Sequence, residues 1–203
     1  GVALVIRGIW VLSGLAGRGG VAPRGAVKAV KPHWGILGFG LVAIGLEASL
    51  AGLGPTALIR AGIAEETASQ LLSAFFVVFL LARVVLIFVA HRVQPFQLYT
   101  VAVSSAAVFA LGAVLLAPGP FFVAMGASTG LFFPGFYVTA SGKMGEDLRV
   151  PPTIVASGLV GAIGTPLILA PLSAAMGDRG FFVLVMGILI AVSVAALLSL
   201  RRM

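Results

Sequence analysis

A chain of 203 residues that is 60% apolar and only 9% charged has too few polar side chains to cover a soluble body, because soluble domains carry about 25% charged residues. With no cysteine and a net charge of +7 spread thinly over 13 basic and 6 acidic residues, it is neither a disulfide-stapled scaffold nor a disordered tail, and nucleic acid is not an expected partner. The composition is that of a multi-spanning membrane protein, and the 27 glycines fit it, since glycine is commoner in membrane helices than in soluble ones.

Residues 1–16 are apolar but interrupted by Arg7. At about 1.5 Å per residue they cover roughly 24 Å of an approximately 30 Å hydrocarbon core. The arginine splits the apolar region instead of preceding it, which argues against a signal peptide. We read 1–16 as the end of a preceding transmembrane helix, and the chain as part of a longer protein; a short interfacial arm is the alternative. Residues 17–33 hold Arg18, Arg24, Lys28 and Lys31 with no acid, together with Gly19, Gly20 and Pro23, and read as a flexible basic linker.

Six apolar runs follow, at 34–59, 68–90, 96–117, 120–141, 152–175 and 181–200, each near the 20 residues that a membrane helix requires. Polar residues mark the breaks: Glu65 and Glu66; Arg92; Lys143, Glu146, Asp147 and Arg149; Asp178 and Arg179. Pro118-Gly119-Pro120 makes an uncharged turn. No stretch alternates as a barrel strand does. The expected fold is an all-α integral membrane bundle of six transmembrane helices over 34–203. With alternating loops, one side collects nine basic residues (Arg18, Arg24, Lys28, Lys31, Arg92, Lys143, Arg149, Arg201, Arg202) and the other two, Arg60 and Arg179. Positive charge marks the cytoplasmic side, which places 17–33 and the C-terminus there.

The polar residues inside the runs point to function. Glu47 lies near the middle of the first run, where a carboxylate is costly and normally faces a bundle interior or a cavity; substrate ligand, proton site, charge-pair member and structural residue are all open. Arg83 lies roughly 11 Å inside the cytoplasmic edge and Glu47 about 20 Å. A direct pair between them needs both side chains extended; snorkelling of Arg83 to the edge is the alternative. In the fourth run Gly126, Thr129, Gly130, Phe133 and Tyr137 share one helical stripe, either a sugar-sized surface or a close packing face. Pro134 in this run is expected to kink it and free a carbonyl. The fifth run carries Thr153, Ser157, Gly161 and Gly164 on one stripe, read first as helix packing, and Pro166 as a second kink. The third and sixth runs look peripheral. No metal centre or cofactor is expected, and no GxxxxGK[ST] loop for a nucleotide is present.

Arg83 with Arg92-Val93-Gln94-Pro95, Phe133-Pro134, Gly142-Lys143-Met144-Gly145-Glu146-Asp147 and Gly161-Ala162-Ile163-Gly164-Thr165-Pro166, in that order after Glu47, resemble the C-terminal half of a major facilitator superfamily transporter. The subgroup most similar is the fucose-permease-like sugar:proton symporters. The resemblance implies that 34–203 are helices seven to twelve, built as two inverted three-helix repeats, with 1–16 the remnant of helix six. It implies that helices seven, eight, ten and eleven line the cavity and that an N-terminal half is the missing partner. It also implies secondary active transport of a small polar solute, a sugar, with the proton as coupling ion. The expected location is the cell membrane, a bacterial inner membrane first.

Glu47, Thr129, Phe133 and Tyr137 are the expected substrate contacts. Arg83, Arg92, Glu146 and Asp147 are the expected charge network, with Arg92 meeting Glu146 or Asp147, or an acid of the missing half, as a cytoplasmic gate. Two other functions compete: a major facilitator exporter of hydrophobic compounds, with a more apolar cavity, and a non-transport membrane protein. An enzyme is not expected, because it would need an interfacial cluster of catalytic His, Asp or Cys.

Overall fold

The computed structural model of the protein describes residues 32–201. The expected helix remnant at 1–16, and all of the basic linker except Pro32 and His33, lie outside the described residues. Within them the order is α1 (Trp34–Arg60), α2 (Glu65–Val89) with a 3₁₀ turn (Ala90–Arg92), α3 (Pro95–Leu115), α4 (Pro118–Thr129), α5 (Phe132–Met144), α6 (Val150–Ala175) and α7 (Gly180–Leu200). The described residues are all-α. Taken with α4 and α5 as one span, six helices are long and apolar enough to cross a membrane, the architecture of a multi-pass membrane protein.

Local chemistry sets the ends. Gly62 follows α1 with φ +90°; its N–H donates to the Ile59 carbonyl and the Ile63 N–H to Leu58, a helix stop that needs the left-handed conformation glycine adopts without strain. Glu65 and Glu66 then sit in the first turn of α2, where the helix dipole favours negative charge. Pro118 begins α4 instead of lying in a turn before it, because the first helical position has no N–H partner to lose. At the other end of α3 the Arg179 guanidinium donates to the Val114 carbonyl at 2.9 Å, serving one of the acceptors a helix leaves open at its C-terminus.

Three helix pairs organise the bundle: α1 lies along α6, α2 along α4, and α3 against α7. Glycines allow the first two to approach at the backbone. A side chain at Gly161 would collide with the Leu41 main chain, and one at Gly45 with Thr165. A Cβ on Gly130 would lie 2.6 Å from the Phe79 carbonyl oxygen, and one on Gly126 would meet that of Phe75. The fourth span crosses α1 in the opposite sense, Phe136 filling the space left by Gly40 and Phe122 that left by Gly54.

The third helix corrects the expectation that it is peripheral. Half of α3 is buried inside the bundle, whereas 11% of the second span is. Its Ala102, Ala106, Ala110 and Ala113 are buried and form a smooth face at three- and four-residue spacing against which α4 and α7 pack. The most exposed helices are α2 and α6, whose outer faces are Val, Leu, Ile and Phe.

Candidate functional site

The fourth span is interrupted. Its bonding changes at Gly130 and Leu131, between α4 and α5, yet both residues keep φ and ψ near the right-handed helical region. The chain therefore crosses the break without turning back. Pro134 explains it. A helical residue donates its N–H to the carbonyl four positions earlier, and proline has no N–H to give. The carbonyl left without that donor is Gly130.

Arg83 supplies the missing bond, its Nε–H donating to the Gly130 carbonyl at 3.0 Å. The side chain reaches it because Phe75, Phe79 and Arg83 recur every four residues along α2 and so share the face that packs on the α4 glycines. The guanidinium also lies over the Phe79 ring, 4.3 Å from its centroid, where the ring's negative face attracts a cation. Its Nη2 is 3.9 Å from Glu47 Oε1 on α1. That is beyond the 2.7–2.9 Å of a charge-assisted hydrogen bond, so the pair is electrostatic and loosely held. Glu47 Oε2 is buried without a hydrogen-bond partner. The two side chains remain 39% (Arg83) and 23% (Glu47) exposed.

The expected site residues fall into three groups. Glu47 and Arg83 come together. Phe133 and Tyr137 also come together, their rings stacked at 5.4 Å and 28° and half-buried at the start of α5. Thr129 is fully buried, and its hydroxyl donates within its own helix to the Met125 and Gly126 carbonyls. With Gly126 and Gly130 it belongs to the α2 packing face, so in this conformation that part of the stripe presents no ligand surface.

The charge network around Arg92 and Asp147 differs from expectation. Arg92 donates to His91 Nε2 at 3.1 Å, and among the described residues it forms no ion pair with Glu146 or Asp147. Asp147 is held instead by Arg149, through its backbone N–H at 2.9 Å, its Nε at 3.0 Å and its Nη2 at 2.8 Å. Those bonds hold the Asp147 carboxyl down at about 2. The acid is bound to a residue two positions along because a turn precedes α6, and the expected contact of Arg92 with Glu146 or Asp147 is absent among the described residues. Pro166 also behaves differently from Pro134: α6 continues as one helix from Val150 to Ala175.

Two of the cavities among the described residues bear polar linings near the helix ends. One of about 170 Å³ is lined by Thr56, Arg60, Ser173 and Asp178 among others. Another of about 510 Å³ lies between Gln94 and Gln97 at the start of α3 and Thr139 and Lys143 on α5. Neither contains the charge pair, which lies deeper. No family model, curated protein or solved structure matches the chain.

Sequence reasoning expected a carbonyl freed by Pro134 without assigning it to Gly130, and it missed Arg149 as the partner of Asp147. The first had a readable signal, since subtracting four from Pro134 gives it. The second had none beyond proximity.

Proposed function

We propose that this chain forms one half of a major facilitator transporter and takes part in moving a small polar solute, a sugar by resemblance, through alternating access coupled to the proton. The observation that carries the reading is the Glu47–Arg83 pair. Two partly exposed opposite charges at membrane depth, 3.9 Å apart, are costly unless they face water, a solute or each other. The partly exposed Glu47 carboxylate and Arg83 guanidinium offer an acceptor and donors to a hydroxylated solute, and the stacked Phe133 and Tyr137 rings offer a surface for its C–H face.

The helix pairing supports the half-fold. Exchange the first three spans with the last three, first for fourth, second for fifth, third for sixth. The pairing of first with fifth (α1–α6) becomes that of fourth with second (α4–α2), and third with sixth (α3–α7) maps onto itself. Three spans per unit also reverse direction between the units, as an inverted repeat requires. The exposed α2 and α6 would then meet the missing N-terminal half.

The test is uptake into proteoliposomes by the complete transporter and by residues 1–203 alone. We expect uptake from the first and none from the second, because a transport pathway between two halves does not exist in one. Robust uptake by the 203-residue chain as a monomer overturns the half-transporter reading. Topology is checked by cysteines at Lys143 and Glu66, which should label from opposite sides of the membrane.

A further inference from the structure

We propose that Arg83 is a latch on the break in the fourth span and that the negative charge of Glu47 keeps the latch closed. The inference rests on the same charge pair as the transport reading, but its readout is a distance within the chain and requires no uptake.

A carbonyl freed by proline in hydrocarbon is usually served by a neutral group, a serine or threonine hydroxyl or a neighbouring helix. Here a cation serves it, at 3.0 Å. A neutral donor would need no counter-charge, whereas a guanidinium at this depth needs one. Glu47 is that counter-charge. Its Oε1 faces Nη2 at 3.9 Å and its Oε2 has no partner, so the interaction holding this acid in place is with the cation. One guanidinium thus joins α1, α2 and the α4–α5 joint.

Glu47 has few competitors. The helices packed on α1 are α2, α4, α5, α6 and α7. Among them α4, α6 and α7 carry no charged or titratable side chain. On α5 there are Tyr137 and, at the cytoplasmic end, Lys143; on α2 there are Arg83 and, at the far end, Glu65 and Glu66, with His91 and Arg92 in the 3₁₀ turn beyond it. On α3, Tyr99 has its hydroxyl committed to the Phe39 carbonyl at 3.1 Å.

When Glu47 takes up a proton, the guanidinium loses its counter-charge. Arg83 is about 9 Å from the end of α2 at 1.5 Å per residue, and a long cationic side chain at that depth extends to the aqueous edge. The Gly130 carbonyl then has no donor, and the α4–α5 joint loses its tie to α1 and α2. Acidification opens the latch; deprotonation closes it.

The chain has no cysteine, so spin labels can be placed singly. Cysteines at Pro120 and Val138, both exposed, span the break at about 27 Å for a helical path. In the 203-residue chain in nanodiscs, we expect one narrow distance distribution at alkaline pH. On acidification the ratio of broad to narrow components should rise roughly tenfold, the factor that about 1.4 kcal/mol produces. Glu47→Gln should give the broad distribution at every pH. Pro134→Ala, which restores the N–H, should give the narrow one at every pH, with or without Arg83→Gln. Should Arg83→Gln alone fail to fold, Arg83→Lys keeps the cation without the Nε–H and should be broad. A Pro134→Ala chain that responds to pH as wild type does, or a Glu47→Gln chain that does so, overturns the latch. Lost uptake with an intact distance response overturns the transport reading alone, and intact uptake with no distance response overturns the latch alone.

Discussion

The α1–α6 and α2–α4 pairs are built to the same plan and finished differently. In each, two helices run in the same direction and touch at glycines, so that residues four apart on one helix meet residues four apart on the other. In α1–α6 both helices contribute small residues, Gly45 on one side and Gly161 on the other, and no charge lies in the contact. In α2–α4 the glycines are all on α4, while α2 contributes Phe75, Phe79 and Arg83. Small residues on both faces give a seam with nothing to release. Small against large leaves room for a long cation, and the cation introduces a joint that responds to a second charge.

Breaking the uncharged seam should have the largest effect. Gly161→Val places atoms against the Leu41 main chain, which cannot yield as a flexible side chain can. Overpacking typically costs 1–3 kcal/mol and occasionally more, so we expect at least about 3 kcal/mol here, read as a loss of folded protein in detergent. Gly164→Ala has open space around its new methyl and should hold or slightly raise the melting temperature, because alanine is the better helix former.

The charged seam is sharpened by a double-mutant cycle. Arg83→Gln should destabilise the wild-type background by about 1–3 kcal/mol, the cost of leaving a desolvated carbonyl without a donor. In the Pro134→Ala background the same change should cost much less. Equal losses in both backgrounds would show that the two residues do not communicate.

On the proposed transport reading, Glu47→Gln should preserve the fold and lower uptake about tenfold or more, since losing an interaction with a charged partner costs about 1.5–3 kcal/mol. Unchanged uptake across a pH series would assign Glu47 a structural role.

The smallest effect lies outside both seams. The carboxyl of Asp147 titrates at about 2 when folded, against about 3.9 for a free aspartate. Because the folded value is the lower one, the clasp with Arg149 contributes fully above pH ~4 and is lost as pH falls toward 2. Asp147→Asn should remove this dependence from the melting curve between those values, with little change at neutral pH.

The spans were legible because a helix that meets lipid must be apolar over a fixed length. The runs 34–59, 96–117 and 181–200 match α1, α3 and α7 within a few residues. What was not legible was which face of a run meets protein. Thr129 and Tyr137 lie on one stripe, yet the break between them separates a packing surface from a half-buried aromatic one. The prominence of α3 was hidden because most of its buried residues beyond the first turns are alanines, which carry no polar signal. The depths of Glu47 and Arg83 did permit their pairing, but no count along a single helix reveals that Arg83 also lies opposite the carbonyl that Pro134 leaves open.

The interlock of Gly45 and Thr165 with Leu41 and Gly161 has a consequence for how the bundle can deform. Two parallel helices meshed at the backbone cannot shear. A displacement of one residue, about 1.5 Å, would drive the Thr165 side chain off its position opposite the missing Cβ of Gly45. Sliding of packed helices, one of the two common modes of domain motion, is therefore blocked between α1 and α6. Strain applied at either end of these helices must be transmitted along their full length, and the bundle responds to it as a stiff rod with one compliant point, in the span that lies across α1.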